Sequence, residues 1–187
     1  MSSTLKFSGN STFENNSAAR YGGGIVVVCN THMKFNGNSI FRNNSANSEG
    51  GGIYVLYSNI NLIGNNIFRK NSVEIGGGIY TKASTLTITA NNLDNTGKHS
   101  GDSNLCMSIF IKNSVEVHGG AVYTENSVLS FQGHSIFSGN SAEYSAGGVY
   151  SKNSTLRFSG RTSFSSNSAQ LLGGGIYGFG TPLLRWK

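Results

Sequence analysis

Large apolar residues recur along this chain in short bursts, with glycine, serine and asparagine filling the gaps. Gly-Gly-Gly-Ile-Val begins at Gly22, Gly-Gly-Gly-Ile-Tyr at Gly50, Gly76 and Gly173, Gly-Gly-Ala-Val-Tyr at Gly119, and Ala-Gly-Gly-Val-Tyr at Ala146. A Phe-x-x-Asn motif keeps step at Phe13/Asn16, Phe41/Asn44, Phe68/Asn71, Phe110/Asn113, Phe137/Asn140 and Phe164/Asn167. Between the two lies a third apolar piece of period two: Leu5/Phe7, Met33/Phe35, Ile60/Leu62, Leu86/Ile88, Leu129/Phe131 and Leu156/Phe158. The unit is about 27 residues long, and a period in that range marks a solenoid.

Helical repeats do not fit. A glycine triplet in each unit would cost a helix roughly 1 kcal/mol per residue relative to alanine, and no apolar stripe recurs at i, i+3, i+4, i+7. Leucine-rich repeats fail too, because their Leu-x-x-Leu-x-Leu frame is missing. The spacing predicts an all-β parallel β-helix of about six rungs, with three short strands and three turns per rung. Rungs stacked about 4.8 Å apart turn each position into a column of like residues. The Leu-x-Phe pairs and the six motif phenylalanines are expected to face inward. The glycines turn a corner where positive φ or a close backbone approach excludes a side chain. The column Asn16, Asn44, Asn71, Asn113, Asn140 and Asn167 is expected at the next corner, its amides bonded to one another and to turn backbone.

Composition narrows the class. The strict phase of Ile, Leu and Phe argues against a disordered Gly/Ser-rich linker. A net charge of +6 is spread without a basic run, so no nucleic-acid partner is expected. No stretch approaches the roughly 20 apolar residues of a membrane span. No signal peptide is visible. The calcium nonapeptide Gly-Gly-x-Gly-x-Asp is absent, and neither a cofactor nor a metal is expected. Cys29 and Cys106 lie about two rungs apart, too far for a disulfide without a fold-back.

The paired glycine-rich and Phe-x-x-Asn motifs resemble the Gly-Gly-Ala-Ile and Phe-x-x-Asn repeats of the polymorphic outer-membrane proteins. That resemblance covers residues 1 to about 177 and implies a right-handed, pectin lyase-like β-helix in a secreted or cell-surface adhesin. Three departures stand beside it. The alanine of Gly-Gly-Ala is usually glycine here, no autotransporter barrel is present, and residues 178–187 match nothing in the unit. The expected organisation is one β-helix domain over 1–177 and a non-repeat tail over 178–187. Met1 enters in mid-unit, so a fragment of a longer surface protein is expected.

Three features are candidates for chemistry. Tyr54, Tyr80, Tyr123, Tyr150 and Tyr177 alternate with inward Ile or Val. They form either an exposed aromatic strip that stacks on sugars or a protein receptor, or a cross-strand ladder that only stabilises; inward-facing tyrosines are a further possibility. Glu74, Glu116 and Glu143 stack like charges, which suits solvated loop residues better than a calcium site. An insertion of 16 residues, about 92–107, carries Asp94, His99 and Asp102. It reads as a tolerated surface loop, as a binding loop, or as the acid/base residues of a glycosidase. The enzyme reading is weakened because the strands carry no aspartate. The function expected is a non-enzymatic surface or extracellular module for adhesion or ligand display, with a surface glycan or protein receptor as partner. A carbohydrate-active enzyme (polysaccharide lyase or hydrolase) is the alternative, and a bare spacer is a third reading.

Overall fold

The computed structural model describes residues 2–90, 106–180 and 183–186, the last segment for its backbone only. Successive units coil into a parallel β-solenoid whose strands form four sheets. The first sheet runs from Ser3–Ser8 through Thr31–Asn36, Asn59–Ile63, Thr85–Thr89 and Val128–Gln132 to Thr155–Ser159. The second holds the Phe-x-x-Asn strands, from Ser11–Glu14 to Thr162–Ser165. The third is built of short strands such as Ser45–Ala46 and Ser114–His118, and the fourth of the Gly-Gly-x-Ile strands, such as Ile79–Lys82. Four strands per rung therefore replace the three expected. In four of the six rungs the third-sheet strand is a Ser-Ala pair only two residues long, too short for a hydrophobic period to announce it.

Register follows the sequence columns. Phe68 pairs with Phe41 and Phe110, and Leu86 with Ile60 and Leu129. Stacked Phe rings lie 4.6–4.9 Å apart down the second sheet, from Phe13 to Phe164. They meet the first-sheet rings edge to face, as in Phe110–Phe131 at 83°. Offset stacks and T-shapes both suit the ring quadrupole, adding to the burial of each ring. Terminal rungs are covered on one side, so Phe7, Phe13 and Phe164 are half-buried, and Leu5, in the inward column of Met33, is exposed in the first rung.

Two boundaries move. Met107 does not belong to the insertion: it opens a second-sheet strand opposite His134, and its N–H donates to Asn65 Oδ1. The inserted block is therefore residues 91–106, between Ala90 and Met107. The tail is not a departure from the solenoid either. Leu183–Trp186 adds a seventh strand to the first sheet, with Leu184 opposite Leu156 and Trp186 opposite Phe158. Trp in the place of Phe hides the motif from a literal reading.

Candidate functional site

Each rung turns four corners, and their chemistry divides into constant and variable. From first to second sheet the corner residue is glycine (Gly9, Gly37, Gly64, Gly133, Gly160), with Ala90 once. From third to fourth it is the first glycine of the triplet, replaced by Ala146 at φ 58°. At the other two corners left-handed residues other than glycine prevail. Asn15, Asn43, Lys70, Lys112 and Ser166 turn from second to third sheet. Cys29, Tyr57, Ala83, Asn126 and Asn153 turn from fourth to first. Asparagine tolerates this conformation well, whereas a bulky aromatic is an outlier there.

Two polar ladders pin these corners from inside. Asn44, Asn71, Asn113 and Asn140 are fully buried, and each passes a backbone N–H and an Nδ2–H to the Oδ1 of the next rung's Asn. Asn16 and Asn167 end the ladder, the former exposed and the latter half-buried. The second ladder is serine: Ser58, Ser84, Ser127 and Ser154 accept from the preceding rung's N–H. Three of them, Ser84, Ser127 and Ser154, donate to the carbonyl two residues back. The serine recurs in every one of these units, so its signal was in the sequence, but nothing local tells a ladder serine from a turn serine.

The tyrosines do not form an exposed strip. Tyr54, Tyr80, Tyr123 and Tyr150 are 3–9 % exposed, with rings stacked 5.0–5.2 Å apart, and Tyr177 is half-buried. They face away from the lumen but lie beneath a cover, formed by the residue before the first glycine of each triplet. Tyr21, Glu49 and Ile75 bridge one another down the axis, as do His118, Ser145 and Leu172. Tyr21 stacks on Tyr54 at 4.8 Å and His118 on Tyr150 at 4.5 Å, so the cover residue of one rung packs on the tyrosine of the next. Burial first, and Glu49 second, pushes the Tyr54 phenol up to about 12, and burial raises Tyr80 and Tyr123 further. Beside them Glu125 bonds Lys82 at 3.2 Å and Lys152 at 3.1 Å, one from each adjoining rung. Burial works against the Glu125 carboxylate, but its bonds to Lys152 and Lys82 prevail and lower its pKa.

The described surface carries two long grooves. One, of about 630 Å³, follows the third sheet past the exposed Glu74, Glu116 and Glu143. The described residues contain no cluster of three or more His, Cys, Asp or Glu side chains placed to hold a metal. The other, of about 620 Å³, follows the corner from fourth to first sheet past Asn30, His32, Tyr57, Asn59, Asn126 and Asn153. Asp94, His99 and Asp102 lie outside the described residues. Among those described, no helix is long and apolar enough to cross a membrane.

Three segments, residues 10–27, 38–56 and 161–178, match the repeat of the Chlamydia polymorphic membrane protein family. Each match spans the Phe-x-x-Asn strand, the Asn ladder corner and the Gly-Gly-x-Ile strand. The chain therefore carries repeats of this type, on a parallel β-solenoid. No curated protein and no solved structure matches it.

Proposed function

We propose that this chain, with its Chlamydia polymorphic membrane protein repeats, is a non-enzymatic surface module that displays side chains for adhesion. The observation that carries the reading is the contrast between columns. The inward Phe-x-x-Asn positions keep one residue each from the second to the fifth rung, Phe over Phe and Asn over Asn. The outward corners change at nearly every rung: Cys29, Tyr57, Ala83, Asn126, Asn153 on one edge and Tyr21, Glu49, Ile75, His118, Ser145 on another. A backbone paired from rung to rung tolerates such variation, because corner side chains contribute little to the ladder that holds them. Rigid elements that fix variable side chains in space are what a recognition surface needs.

The test is binding of fluorescently labelled protein to cultured epithelial cells. Saturable binding, competed by unlabelled protein, is the expected result. Binding that never saturates, or none at all, would overturn adhesion and leave a spacer. Turnover of a polysaccharide by the same preparation would favour the enzyme instead.

A further inference from the structure

We propose that the trench along the corner from fourth to first sheet binds a neutral linear oligosaccharide, with the Tyr57 ring as its stacking platform. The proposal rests on the reading of the chain as a ligand-displaying module and names the ligand class.

Tyr57 is the residue that neither packing nor turn chemistry explains. Its backbone sits at φ 49°, a conformation costly for an aromatic, and its side chain is 59 % exposed. The same corner is turned by Asn126 at φ 49° and Asn153 at φ 48°, residues suited to the conformation. An unfavourable backbone holding an exposed ring points to a task for the ring.

The rest of the trench defines that task. No Lys, Arg, Asp or Glu lines it. The nearest charges of the fourth sheet, Lys82, Glu125 and Lys152, pair with one another outside the trench lining. Four asparagines and one histidine project from the walls, and Ala83 leaves the floor open beside Tyr57. Asparagine presents both donors and acceptors, which matches hydroxyls that are themselves both. A tyrosine face offers an apolar plane for the C–H face of a pyranose. An anionic chain would find no cation here to compensate its charge. A peptide would find neither a free strand edge nor an apolar pocket, since the corner N–H groups of Asn30, Tyr57, Ala83, Asn126 and Asn153 already donate to the next rung. The trench crosses five rungs, roughly 19 Å at about 4.8 Å per rung. That rise is close to the length of one pyranose in a linear chain, so successive sugars meet successive rungs.

The experiment is calorimetric titration of the full chain with cellohexaose, maltohexaose, xylohexaose and chitohexaose, and with a heparin-derived hexasaccharide as the charged counterpart. At least one neutral hexasaccharide should bind. Tyr57→Asn should weaken it about tenfold, with the unfolding temperature unchanged or higher because Asn suits the corner. Asn126→Ala should weaken it as well. Binding of no neutral sugar, binding of the heparin fragment alone, or equal binding by wild type and Tyr57→Asn would overturn the site. If cells bind wild type and Tyr57→Asn alike while no hexasaccharide binds, the sugar site fails and adhesion stands. If a hexasaccharide binds and cells do not, adhesion fails and the sugar site stands.

Discussion

Asn113 and Asn140 are joined twice: the backbone N–H and the side-chain Nδ2 of Asn113 both donate to Asn140 Oδ1, at 3.1 and 2.9 Å. The other Nδ2 hydrogen of Asn113 goes to the Phe68 carbonyl at 3.0 Å, and its Oδ1 accepts two bonds from Asn71. Every hydrogen-bonding valence of a fully buried amide is thus used.

Asn140→Leu should destabilise the protein by roughly 3 kcal/mol or more, although leucine is the more apolar residue. It strips partners from Asn113, from Asn167 and from the Phe110 carbonyl, at about 1–3 kcal/mol for each group left unpaired. Denaturant unfolding measures this directly. An unchanged midpoint would mean that the ladder contributes no net stability.

The glycine triplet should not be uniform in its tolerance. A Cβ on Gly77 would collide with the Gly120 carbonyl oxygen of the next rung. On Gly78 it would meet the Ala121 oxygen at 2.7 Å, yet Ala121 itself occupies the equivalent place one rung on and is fully buried. Gly77→Ala should cost roughly 3 kcal/mol and Gly78→Ala distinctly less, near 1 kcal/mol. Thermal unfolding of the two variants side by side decides it.

Glu49 should cost stability at neutral pH. Burial raises its pKa, and this outweighs the hydrogen bond from Tyr80 and the charge of Lys82. The folded state therefore prefers the protonated carboxyl. That preference is fully present below the unfolded value of about 4.3 and is lost as pH rises through the raised folded value. Glu49→Gln should melt higher than wild type at pH 7, and the difference should close as the pH falls below the unfolded carboxyl value. A lower melting temperature at pH 7 would show that the carboxylate is stabilising there.

Removing residues 91–106 together with Ala90→Gly should leave cooperative unfolding intact. Gly133 and His134 stand side by side where Ala90 and Met107 are separated, and Thr89 and Met107 already pair with the next rung at Gln132 and His134. Gly64 and Gly133 turn this corner with positive φ, which the glycine substitution restores. Loop-closure entropy varies slowly with length, so the melting temperature should stay within a few degrees. A broad, non-cooperative transition in calorimetry would place the block inside the folding unit.

The parallel β-helix, the inward Phe columns and the Asn column could be read from the sequence for one reason. In a solenoid the neighbour of each residue is its own counterpart one period away, so tertiary contacts are written as sequence recurrence. The same logic failed where contacts cross between columns. Tyr80 alternates with the inward Ile79 and Thr81 and so points outward, yet it is 3 % exposed because Glu49, from the preceding rung, lies over it. Alternation reports the side of a sheet, not whether another segment covers that side. Tyr57 carried no signal at all: it breaks its column, and neither a left-handed φ nor a trench wall has a period to betray it. Recurrence determined the scaffold, and only the folded chain decided which outward side chains are covered and which stand free, because covering depends on packing between columns that never align in sequence.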